Sequence, residues 1–168
     1  MSPAIRIAVL GCVVAFAATA SHAAPTLEAP QATTARQDTA ANDYRKGVEA
    51  LHAGQLDRAE AAALSLVEAA PHGSAGRHLL GLVKTRKGDL AGAVAEFDKA
   101  LVNDPQSIPA RTERAVVLAR LGQLDKARVD LDALKARAAL CGKACAPELR
   151  SAISRVEAAL AAGRPPAA

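Results

Sequence analysis

The sequence predicts an all-α fold, a right-handed superhelical stack of three helix–turn–helix units closed by a C-terminal capping helix. Three observations predict it. Gly54, Gly88 and Gly122 recur every 34 residues, each just after an amphipathic segment. Ala59, Ala93 and Ala127 recur at the same interval within the related strings GQLDRAEA, GDLAGAVA and GQLDKARV. Gly47, Gly81 and Ala115 keep a third register, and Pro71 and Pro105 a fourth. A fixed period of this size marks units that cannot bury an apolar face alone and must stack on their neighbours.

The elements follow in order. Residues 1–23 read as a signal peptide. Arg6 supplies a weak basic start, Ile7 to Ala18 is apolar, and small residues before Ser21 and Ala24 suit cleavage after Ala20 or Ala23. The run is shorter than a membrane span needs. A rival reading takes Val9-Leu10-Gly11-Cys12 as a lipoprotein box, with Cys12 lipidated and the chain anchored in the envelope. Residues 24–40 are rich in Pro, Ala, Thr and Gln and read as a flexible leader.

Residues 41–141 hold the three units, at about 40–73, 74–107 and 108–141. Helix pairs are expected at about 41–53 and 57–70, 75–87 and 91–103, and 109–121 and 125–139. The three glycines follow the first helix of each pair, where a left-handed residue ends a helix without a Cβ penalty. Asp57 and Asp125 open second helices, where the macrodipole favours negative charge. Ser74 and Ser107 are placed to cap the first helices of the next pairs. Ala59, Ala93 and Ala127 let the paired helices approach. Ala63, Phe97 and Leu131, then Leu66, Ala100 and Leu134, continue one apolar seam. Residues 142–162 read as a turn and an amphipathic capping helix from about Pro147 to Ala162, and 163–168 as a disordered tail.

This pattern resembles the tetratricopeptide repeat, a 34-residue helix–turn–helix unit. The second unit carries it best, in Leu80, Gly81, Ala93, Phe97, Ala100 and Pro105. The first keeps Gly47, Ala59 and Pro71, and the third Ala115 and Ala127. The large aromatic that the family favours early in each first helix is replaced by Asp43, Arg77 and Arg111. The mid-helix tyrosine is replaced by Ala50, Lys84 and Leu118. The resemblance therefore implies a thinner, less stable core than usual. It also implies a module that binds a protein or peptide on a concave groove lined by the first helices, with no turnover and no cofactor.

By register, the groove is expected to expose Tyr44, Val48 and His52 in the first unit, His78, Leu82 and Arg86 in the second, and Thr112, Val116 and Arg120 in the third. His52, Arg86 and Arg120 form a basic ladder that suits an acidic segment or carboxylate. The same three residues lie in last helical turns, where a cation offsets the macrodipole, and that alone accounts for them. Tyr44, Val48, Leu82 and Val116 suit an apolar floor, or simple packing between units. The Lys, Arg and Asn clamp by which some family members grip chaperone tails is replaced by residues such as Tyr44, Val48, Leu79, Pro109 and Glu113.

Composition narrows the rest. The chain has 168 residues and a net charge of +4, with basic and acidic residues mixed along the helices. That balance, with one Tyr, two Phe and no Trp, argues against a nucleic-acid surface. Cys141 and Cys145 are an even pair in a chain read as exported, here to the periplasm, and suit a structural disulfide. A thiol-redox role is the alternative, although C-x3-C is not the C-x-x-C redox spacing. Metal ligation lacks clustered ligands, since His52, His72 and His78 are scattered. His72-Gly73-Ser74-Ala75-Gly76 is not a nucleophile motif and reads as the turn between units. The chain is therefore read as a non-enzyme: an adaptor, scaffold or assembly factor.

Overall fold

The computed structural model describes residues 29–141 and 147–163, with side chains from Thr39 onward. The expected signal segment, Cys12, Cys145 and the last five residues lie outside them. The described residues form seven helices: α1 (Ala29–His52), α2 (Leu56–Ala69), α3 (Ser74–Lys87), α4 (Leu90–Asn103), α5 (Ile108–Arg120), α6 (Leu124–Cys141) and α7 (Pro147–Ala162). Each packs on the next, α1 also touches α3, and α3 touches α5, as a stack of three helix pairs requires.

The punctuation works largely as the sequence predicts. Gly54, Gly88 and Gly122 take φ of 72°, 85° and 74°, the left-handed conformation that ends each first helix. Ser107 caps α5 by accepting from the Ala110 amide. Ser74 does not cap α3. It is the first helical residue, preceded by Gly73 with no side-chain cap. Asp89 caps α4 instead, accepting from the Gly92 amide at 2.9 Å. The expected flexible leader also needs correction, because α1 already begins at Ala29. Between Gln31 and Asp43 no Gly or Pro interrupts a run of Ala, Thr and other residues compatible with helix.

The seam is buried throughout. Ala59, Ala93 and Ala127 are inaccessible, as are Ala63, Phe97 and Ala100, and Leu66, Leu131 and Leu134 are nearly so. Gly81 makes room for Phe97: a Cβ there would fall 2.5 Å from the ring.

Ion pairs occupy the positions of the missing aromatics. Arg77 and Lys84 both reach Glu96, at 3.1 and 3.6 Å, and Lys99 joins them at 2.9 Å. One repeat later Arg111 reaches Asp130 at 3.2 Å, and Arg114 bridges Asp130 and Asp98, each at 2.6 Å. Glu96 and Asp130 are buried, at 4% and 1% exposure. The thin core expected of the second and third units is thus supplemented by buried, paired carboxylates. The first unit has Ala62 at the equivalent place, and Asp43 pairs only with Lys46 on the surface.

Helix α7 caps the stack. Leu149, Ala152 and Val156 complete a cluster with Ala115, Leu118, Ala119, Ala127, Leu131 and Leu134. It lies on both helices of the third unit, and on α5 more closely than α3 lies on α1.

Candidate partner-binding groove

The first helices present one common face, and the predicted residues divide on it into three groups. Tyr44, Val48, Leu82 and Val116 are half-buried. His52, Arg86 and Arg120 are exposed where α1, α3 and α5 end. His78 and Thr112, expected to line the surface, are buried instead, at 8% and 2% exposure.

Each burial has a local cause. His78 is held between two rings, with centroids 6.1 Å from Tyr44 and 5.8 Å from Phe97. Thr112 donates its hydroxyl to the Ile108 carbonyl one turn back, at 2.7 Å, and so needs no water. Val116 packs against the cluster that α7 completes. The third unit therefore contributes little open floor. What stays accessible is Tyr44, Val48 and Leu82, flanked by the basic ladder.

The ladder is not uniform. Arg86 donates to the Leu51 carbonyl at 3.4 Å, across the stack to the last turn of α1. It therefore neutralises a neighbouring helix terminus as well as its own. Arg120 makes no hydrogen bond or ion pair among the described residues, whereas Arg77, Arg111, Arg114, Arg128 and Arg155 each hold a carboxylate. Arg120 also lines a depression of 430 Å³ between the α5–α6 turn and the end of α7, with Leu90, Ala119 and Ala159. A bare guanidinium is suited to a carboxylate.

Two polar pairs lie near the same face, Tyr44 with His78 and Glu113 with Arg155. Tyr44 Oη and His78 Nδ1 are 2.8 Å apart. Burial pushes the Tyr44 hydroxyl above its ordinary pKa, and the Glu113 charge adds to that. Burial pulls the His78 imidazole below its ordinary value, while Glu113 opposes it. Glu113 in turn accepts from Arg155 of α7 at 2.7 Å. Glu113 was marked in the sequence only as a residue standing where a clamp cation would be, and Arg155 did not stand out at all. Glu113 adjoins the register position Thr112, but Arg155 belongs to no repeat and carries no periodic signal.

Among the described residues no group of His, Cys, Asp and Glu is placed to hold a metal ion, and no helix is long and apolar enough to cross a membrane.

No family model matches the sequence, and no curated protein does. Solved structures do match the fold. The type III secretion translocator chaperone SycD of Yersinia enterocolitica aligns with a TM-score of 0.62 and 22% identity, over 75% of this chain and 92% of that one. The same chaperone in complex with a peptide of the translocator YopD gives 0.60 and 21%, over 75% and 92%. The TPR2B domain of yeast Sti1, in its pHsp70 complex, gives 0.58 and 19%, over 71% and 96%. With its 34-residue period, its glycine-ended first helices and its seam of small residues, the chain has the tetratricopeptide-repeat fold, three units and a capping helix.

Proposed function

We propose that this protein is a binding module that takes a segment of a protein partner on the face formed by α1, α3 and α5, as an adaptor, scaffold or assembly factor. The observation that carries the reading is Arg120, an exposed guanidinium without a partner among the described residues, at the wall of a depression and in register with Arg86 and His52. The half-buried row of Tyr44, Val48 and Leu82 adds an apolar floor. The complex of SycD with a peptide of YopD, and the pHsp70 complex of a Sti1 domain, both of the same fold, support a peptide or protein ligand here. The ligand chemistry that fits is an acidic segment carrying an apolar side chain.

The module is exported and works in the periplasm. The charged start, apolar run and small-residue cleavage sites before Ala24 support this, as does the even pair Cys141 and Cys145. Those cysteines form a structural disulfide that closes the turn from α6 into α7.

In-cell crosslinking of the tagged protein, followed by mass spectrometry, tests the binding role. One dominant protein partner, lost with Arg120→Glu while helix content is kept, is the expected result. Capture unchanged by Arg120→Glu moves the site to another face, and no partner above background overturns the adaptor reading. N-terminal sequencing of the mature protein, with a start at Ser21 or Ala24, tests export.

A further inference from the structure

Separately from the groove, we propose that the outer face of the first unit, the cleft between α1 and α2 on the side opposite α3, receives an acidic amphipathic helix of a partner protein.

The other two units show what this face does. On α3, Leu80 packs with Ala63 and Leu66 of α2, and Val83 with Ala59. Lys87 of α3 holds Glu60 and Asp57 of α2 at 2.6 and 3.5 Å. On α5, Arg114 holds Asp98 of α4 at 2.6 Å. With Leu118 and Lys126, Arg114 borders a cleft whose other side is Val94 and Asp98 of α4. At both junctions the face takes the second helix of the preceding unit, and that helix brings a carboxylate to a cation.

The period carries this face back to the first unit. Arg114 becomes Lys46 two repeats earlier, Val117 becomes Glu49, Leu118 becomes Ala50 and Lys126 becomes Arg58. Lys87 becomes Ala53 one repeat earlier. Lys46, Glu49, Ala50, Ala53, Arg58 and Ala62 line one depression of 390 Å³. Among the described residues α1 packs only on α2 and α3. No described helix stands where α2 stands for the second unit and α4 for the third.

The chemistry of the face selects its occupant. Relative to the third unit it keeps the cations and loses the bulk. Lys46 pairs only with Asp43 of its own helix, at 3.6 Å, and Arg58 donates only to the Gln55 amide oxygen, at 2.9 Å. Ala62 stands where Asp130 accepts from Arg114, so α2 supplies no carboxylate of its own. Glu49 is met by Arg45 on the same helix, at 3.9 Å. A helix that fits brings carboxylates to Lys46 and Arg58 and large apolar side chains over Ala50 and Ala62. A second copy fits poorly. The last described helix, α7, exposes Arg150 and Arg155 against Glu148 and Glu157, with no acidic surplus. The polar residues of the bare face also keep copies from stacking end to end.

Photocrosslinking in the native host tests this, with p-benzoylphenylalanine in place of the exposed Ala53 in the full chain. That is the position from which Lys87 reaches α2 one repeat later. Mass spectrometry then sequences the crosslinked peptide. The expected adduct is an acidic, amphipathic helical segment of one other protein. Its yield is expected to fall about fivefold in Lys46→Gln/Arg58→Gln, the worth of two exposed ion pairs, with helix content kept. It is expected to hold in Arg120→Glu. The proposal is overturned by no adduct, by an adduct to this chain's own leader or to a second copy, or by a segment that is neither acidic nor helical. A yield unchanged in the double variant also overturns it, as does a yield lost with Arg120→Glu. The groove is probed at Arg120 and this face at Lys46 and Arg58, so each reading stands or falls separately.

Discussion

Arg77 and Glu96 stand 3.1 Å apart, and the pair returns 34 residues later as Arg111 and Asp130, at 3.2 Å. Each joins the first helix of a unit to the second helix of the same unit, and each buries its carboxylate. A position that an aromatic would fill by packing is filled here by charge. Such a pair contributes little net stability compared with good apolar packing, but is costly to break from one side.

Removing one partner therefore has a different effect from removing both. Glu96→Ala leaves the partly exposed Arg77, Lys84 and Lys99 facing one another without a counter-charge, and is expected to destabilise by about 1.5 kcal/mol. The double replacement Arg77→Leu/Glu96→Leu is expected to recover most of that loss. Urea unfolding followed by circular dichroism measures both. A double variant as unstable as Glu96→Ala would show that the carboxylate serves packing beyond its charge.

Acid should act on the same carboxylate. Burial alone would raise the Glu96 pKa, but hydrogen bonds from Lys99 and Arg77, with the charges of Lys99 and Lys84, outweigh it and hold the group below its ordinary 4.5. A folded pKa below the unfolded one means that the unfolded chain binds the proton more readily. The stability from Glu96 is thus fully present above the unfolded value and is lost as pH falls through the folded one. Melting temperature measured down from pH 5 is expected to fall more steeply in the wild type than in Glu96→Gln. Parallel curves would assign the acid sensitivity to other groups.

Gly81 and Phe97 define a packing limit. Gly81→Ala places a methyl against the ring, and is expected to cost about 1–3 kcal/mol by overpacking. Replacing Phe97 with Leu in the same chain is expected to relieve part of that cost, although Phe97→Leu alone destabilises. A thermal-melt double-mutant cycle isolates the coupling. Additive effects would mean that α3 and α4 shift apart without strain.

The repeats explain what was legible in the sequence. Turn glycines and seam alanines recur because each satisfies one local demand, a positive φ or a close helix approach, that every unit shares. The ion pairs were also periodic, with an acid 19 residues after each arginine, but Arg77 and Arg111 read first as missing aromatics. Their counterparts Asp43 and Ala62 in the first unit break the pattern and hide it. His78 and Thr112 were read as exposed because register fixes a face and not a depth. Depth here depends on Tyr44 and Phe97 closing over one and on a hydroxyl satisfied within its own helix for the other. The covering of Val116 by α7 depends on a single non-repeated helix, for which period carries no information.

Arg86 and Arg120 occupy one register position and should nevertheless respond differently. Arg86 donates to Leu51 O, so Arg86→Glu puts a carboxylate near the carbonyl end of α1 as well as in the last turn of α3. It is expected to lower stability by about 1 kcal/mol and to weaken partner capture. Arg120 has no such contact among the described residues, and Arg120→Glu faces only its own helix terminus. A smaller loss of stability, about 0.5 kcal/mol, is expected, with capture reduced at least as much as by Arg86→Glu. Thermal melts and partner pull-down on the same preparations separate the two effects. Equal destabilisation would make the Leu51 contact incidental. Capture lost only in proportion to stability would reduce the ladder to helix termination, with no part in recognition.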